Sequence, residues 1–244
     1  MRLIFSINTF DDDYECILNI LGLGVEHNRV KQYLCSSFQV DINNIESKNR
    51  EEIDTYLRPI IYAEYTRAED KMYGKLTGIT DEWLNVKEDV DKILYDLFEC
   101  ECDIEEIIQV FLSINYVCPY DFDNKKIYIN YRKSKEEIIE ACIHELIHYY
   151  WFKKWNISFK NTDGFDEHLI WKFSEIAIDA FFKESELKKY CVKEKPAYEY
   201  FYDIDIENEN MIEHFRKLFS QNSMYDYMKK GMEYLVENQK SILM

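Results

Sequence analysis

The sequence predicts an α+β fold, predominantly helical with a small sheet, and three observations carry that expectation. Glycine occurs 6 times and proline 3 times in 244 residues, too few for a chain built from tight turns. Long stretches place apolar residues three and four positions apart, the spacing of one helix face. Lys126 to Tyr131 behaves differently: Ile127, Ile129 and Tyr131 alternate with polar or amphipathic residues, as in a strand.

In chain order, Arg2 to Asn8 is an apolar run of strand length followed at once by Asp11, Asp12 and Asp13, far too short for a signal peptide or a membrane helix. Tyr14 to Leu23, Arg29 to Phe38 and Arg50 to Tyr73 read as helices, the last interrupted by Pro59. Thr80 is the expected N-cap of a helix running to about Phe98. Asp103 with Glu106 forms a capping-box pattern before Ile107, Ile108, Val110 and Phe111, predicting another. From Asn115 the pattern changes to a strand or hairpin ending at Tyr131. Ser134, with Glu137 three residues on, opens a helix to about Trp155. A polar loop, Asn156 to Gly164, then leads to a helix opened by Asp163 and Asp166 and spanning Phe165 to about Lys183. Beyond Pro196 an aromatic segment, Tyr198 to Tyr202, precedes a final helical region from Asn210. This divides the chain into a mostly helical lobe (1–110), a central core (111–190) and a helical segment packed on that core (191–244).

The 47 acidic residues against 30 basic ones give a formal charge of -17, so the average surface repels phosphate backbones and anionic headgroups. Neither nucleic acid nor a membrane is expected as a partner. The seven cysteines are scattered without the paired spacing of a secreted scaffold, which fits reduced thiols and a cytoplasmic location.

Chemistry concentrates at residues 141–152, Ala-Cys-Ile-His-Glu-Leu-Ile-His-Tyr-Tyr-Trp-Phe, where His144, Glu145 and His148 are the only strongly polar side chains on three helical turns. A helix apolar on every other face is normally buried, and burying two imidazoles and a carboxylate costs several kcal/mol unless they are paired or bind a metal. Histidines at i and i+4 lie one turn apart on the same side and can meet one ion, expected to be Zn2+. Glu145 projects about 100° around the axis from His144, near that ion without being a ligand, so it can take a proton from a water that the metal makes acidic.

A catalytic zinc site wants a third protein ligand. Glu175 and Asp179 stand four residues apart in an apolar surround, and like charges so placed imply a nearby cation. A metal at Glu175, with a ligand histidine's second N–H held by Asp179, would satisfy both. Lys172 and Lys183 offer ordinary helical ion pairs instead, and Glu167 and His168 are rival ligands.

Through His144-Glu145-Leu146-Ile147-His148 and Glu175-Ile-Ala-Ile-Asp179, the chain resembles the zincin metallopeptidases, specifically the gluzincin branch of thermolysin-like enzymes and zinc aminopeptidases, over about residues 115–185. The resemblance implies His144, His148 and Glu175 as zinc ligands, Glu145 as general base, Asp179 as support for a ligand, and Lys126 to Tyr131 as an edge strand that pairs with an extended peptide. The chain departs from that pattern in placing 26 residues between His148 and Glu175. Glu167 falls at the aminopeptidase spacing but lacks an aspartate four residues later. Among possible oxyanion stabilisers, His214, Tyr198, Tyr200 and Tyr202, none is marked, and the glycine-rich segment of aminopeptidases is missing. Peptide deformylases share the motif with a cysteine ligand, a part that Cys118 could play, but their glycine motifs are absent too. The expected activity is zinc-dependent hydrolysis of peptide bonds in a peptide or protein substrate. The alternative is a binding or regulatory protein that keeps the metal site without turnover.

Overall fold

The computed structural model describes residues 1–22, 28–45, 48–100, 106–117, 120–121, 124–159 and 166–239. These are mostly helical, with one four-stranded sheet and a short two-stranded ribbon, the expected α+β class. The chain forms two compact units, Met1–Trp83 with Ile104–Ile138, and Leu84–Asp103 with Ile139–Met244. They interleave along the sequence, whereas the segments 1–110, 111–190 and 191–244 follow one another serially.

The first unit holds β1 (Arg2–Ile7), α1 (Phe10–Leu21), α2 (Asn28–Ser37), the first part of α3 (Arg50–Phe98), β2 (Ile107–Ser113), β3 (Tyr120–Asp121) and β4 (Lys126–Asn130). The sheet order is β1-β2-β4-β3, with β1, β2 and β4 parallel and β3 antiparallel to β4. Residues 107–113, expected as a helix, are the central strand. Ile108, Val110 and Leu112 are fully buried on one face, but Ile107 and Phe111 on the other face are apolar too and mask the period of two. Asp103 lies outside the described residues. β4 is not the edge that the resemblance implied, because β3 covers it at Lys126 and Ile127.

Two further boundaries differ from expectation. The segments read as separate helices, Arg50 to Tyr73 and Thr80 to Phe98, are one helix of 49 residues. Pro59 sits on an exposed face, so the carbonyl it leaves unbonded faces water. The opposite face carries Leu57, Ile61, Ala68, Met72, Ile79, Trp83, Val90 and Leu94, all nearly inaccessible. That stripe recurs every eleven residues, about 3.67 per turn, which keeps it on one side of the helix throughout. Thr80 caps nothing and donates back to the Leu76 carbonyl.

The second unit contains the end of α3, most of α4 (Lys135–Ser158), α5 (Glu167–Glu184), 3-10 turns at Glu186–Tyr190 and Glu199–Asp203, the ribbon strands β5 (Asp205–Ile206) and β6 (Glu209–Asn210), α6 (Met211–Ser220) and α7 (Met224–Glu237). Its core is aromatic. Trp151 meets Phe173 edge-on at 4.8 Å between ring centroids, and Tyr227 packs against Trp151, Phe173, Phe181 and Phe215. Gly231 makes this packing possible, since a Cβ there would stand 2.2 Å from the Phe173 ring. The final helical region divides because Asn210 caps α6 and Ser223 caps α7. No described helix is long and apolar enough to cross a membrane.

Candidate metal centre

The site is assembled from α4 and α5. The Ser134 capping box forms in both directions, with the Ser134 N–H donating to Glu137 at 2.7 Å and the Glu137 N–H donating to the Ser134 hydroxyl at 3.1 Å. It fixes where the helix begins. Ile143, Leu146, Ile147 and Trp151 are then wholly buried, and the same winding turns His144 and His148 toward α5. α5 is capped by Asp166, whose carboxylate accepts from the His168 N–H; Asp163 lies outside the described residues. Two turns into α5, Glu175 projects from a helix buried almost throughout.

His144, His148 and Glu175 converge. The two Nε2 atoms are 3.0 Å apart; His144 Nε2 lies 3.6 Å from Glu175 Oε2, and His148 Nε2 lies 3.4 Å from Glu175 Oε1. Donors shared tetrahedrally by one ion at about 2.0–2.2 Å stand roughly 3.3–3.6 Å from one another. The two carboxylate contacts reach different oxygens of Glu175, and the ring nitrogens stand closer than that separation. Two imidazole nitrogens and one carboxylate oxygen can thus hold a metal ion, and they lie in a place withdrawn from water, with side-chain exposures of 21%, 5% and 7% for His144, His148 and Glu175. No family model, curated protein or solved structure matches the chain. The geometry of the site therefore carries the functional argument.

Its electrostatics follow from burial and mutual contact. Burial raises Glu175, but the hydrogen bonds and charges of the two imidazoles outweigh it and bring the carboxyl down to about 2. Burial lowers His148, yet the Glu175 contact and the Glu145 charge leave it raised overall. His148 Nδ1 is buried without a hydrogen-bond partner among the described residues. Glu145, partly exposed beside His144, makes no hydrogen bond or ion pair among them either.

Asp179 does not hold a histidine. Its Oδ1 accepts from Arg216 Nε at 2.5 Å, and its Oδ2 accepts from the Tyr202 hydroxyl and from Arg216 Nη2 at 3.2 Å. Full burial explains this: a desolvated carboxylate takes the bidentate guanidinium within reach. That bond commits Tyr202 as well. The rival ligands stay apart from the triad, Glu167 exposed in the first turn of α5 and His168 stacked on Trp171 at 5.8 Å. His214 stacks on Tyr234 at 4.0 Å and contacts Glu209 at 2.9 Å. Cys118 lies outside the described residues. Arg216 was invisible to sequence reasoning, because it meets Asp179 across 37 residues and shares no motif with it.

Proposed function

We propose that the protein is a zinc-dependent peptidase whose water-activating base is Glu145. What supports this reading above all is the spacing of the His144, His148 and Glu175 donor atoms, with an uncommitted carboxylate on the neighbouring position of the same helix. A two-histidine, one-carboxylate set also suits iron in octahedral sites, so elemental analysis of the purified chain decides between the two ions.

When bound, zinc supplies Lewis acidity toward a carbonyl oxygen and makes water a usable nucleophile near neutral pH. The chain's own residues do the rest. Glu145 takes a proton from the attacking water as its oxygen bonds to the peptide carbon, then returns that proton to the amide nitrogen as the C–N bond breaks. His144, His148 and Glu175 would hold the ion. Asp179, Arg216 and Tyr202 brace α5 one turn beyond Glu175 and so fix the direction from which that ligand points.

Glu145→Gln tests the mechanism, because it removes the base and retains the shape. Cleavage of a pooled peptide library by the zinc-loaded variant should fall by at least about 100-fold with zinc content unchanged. A variant that cleaves as fast as the parent would refute the role of Glu145. A parent that binds zinc and cleaves no peptide would favour the binding or regulatory alternative.

A further inference from the structure

Beside the buried triad lies an exposed row of rings. Trp171 is four residues before Glu175 on α5, hence on the same side of the helix and one turn away. Its ring lies 6.5 Å from that of Tyr198, and Tyr198 stacks on Tyr200 at 5.9 Å and 19°. Trp171, Tyr198 and Tyr200 are 36%, 48% and 47% exposed, although aromatic rings dominate the dry core of the same unit. The Tyr198 hydroxyl is raised first by burial and then by the charges of Glu175 and Glu145, and Tyr200 is raised by burial and by Glu175. The row is pinned: Tyr202, two residues beyond Tyr200, donates to Asp179, and the Ala197 N–H donates to Tyr202 at 3.3 Å.

We propose that Trp171, Tyr198 and Tyr200 form a shelf that accepts an aromatic side chain of the peptide held at the His144–His148–Glu175 centre. This rests on the peptidase reading and names the substrate side chain it prefers. The Glu145 carboxylate disfavours an acidic occupant. A basic occupant would gain a cation–π contact at an exposed site, whereas a phenyl ring removes apolar area from water against three rings and stacks on them. The aromatic side chain is the better match. A fixed shelf also spares the cost of ordering its rings on binding.

The test uses full-length, zinc-loaded Glu145→Gln protein and a capped Ala/Ser hexapeptide series carrying one Phe at each position in turn, with matching Arg and all-Ala/Ser series. Trp83, Trp151 and Trp155 are 2%, 0% and 1% exposed, so Trp171 is the accessible tryptophan and its emission reports occupancy. At its best position the Phe peptide should bind at least about tenfold tighter than the Ala/Ser peptide and shift that emission. Tyr200→Ala should erase the preference with zinc stoichiometry intact, and Tyr200→Phe should keep it. Equal affinities for Phe and Ala/Ser, tighter binding of Arg, or loss of zinc together with the preference in Tyr200→Ala would overturn the shelf. Library cleavage by the parent, measured separately, distinguishes the two levels: a parent that cleaves without Phe preference loses the shelf alone, and one that binds no zinc and cleaves nothing loses the peptidase reading with it.

Discussion

Asp13 in the first unit and Glu175 in the second are both carboxylates withdrawn from water, at 1% and 5% exposure, and they are surrounded in opposite ways. Asp13 accepts from Asn8 Nδ2 at 2.6 Å, from the Ser113 hydroxyl at 2.5 Å and from the Ile114 N–H at 3.0 Å. Those donors sit at the carboxyl ends of β1 and β2, so the aspartate ties two parallel strands to α1. Glu175 faces two imidazole nitrogens that crowd each other at 3.0 Å. A carboxylate saturated by fixed donors is a structural tie, whereas one that shares a desolvated space with two ring nitrogens has the surroundings of a ligand.

That contrast can be broken most severely at the metal. Chelation of the zinc-loaded parent should lower its stability by about 4 kcal/mol when free zinc had stood near a thousandfold above its dissociation constant, read as a drop in melting temperature. His148→Ala should already melt at the lower temperature and ignore the chelator. An equal chelator response in both proteins would detach the metal from the triad.

Asp13→Ala is the counterpart. It strips the acceptor from three buried donors and should cost about 3 kcal/mol in urea unfolding, with zinc stoichiometry unchanged. Loss of zinc in this variant would mean that the two carboxylates do not have separate roles.

The smallest effect is a pH dependence. Burial raises Asp13 above its ordinary value of 3.8, outweighing the donors that lower it. The folded chain holds that proton more tightly than the unfolded chain, so the contribution is fully present below the unfolded value and is lost as pH rises through the folded one. In parallel urea titrations, the stability of the parent relative to Asp13→Asn should therefore improve as pH falls from 7 toward 4. A difference constant with pH would contradict the raised value.

The same two regions show what was legible in the sequence. His144 and His148 were readable because i and i+4 on one helix fix their geometry locally, and Ser134 with Glu137 announced where that helix begins. Glu175 was readable from its odd company, an acid amid Phe173, Ile176, Ala177 and Ile178. What escaped was settled at a distance. β2 is a strand because β1, about a hundred residues earlier in sequence, pairs with it from Arg2↔Ile107 to Ile7↔Leu112, and no local pattern in Ile107–Ser113 records that partner. Asp179 was expected to hold a ligand histidine, but its partner is Arg216, supplied by a helix that nothing in the motif points to. Pro59 was read as an interruption because its missing N–H is a local property, whereas the buried stripe that carries α3 past it runs the length of the helix.

The central claim is that His144, His148 and Glu175 hold one zinc ion. Elemental analysis of the full chain purified without added metal, beside Glu175→Ala prepared identically, tests it most directly. The account predicts close to one zinc per parent chain and little or none in the variant. A parent free of metal, with a melting temperature that zinc and chelator leave unmoved, would contradict it and leave the triad as a buried histidine–carboxylate pairing.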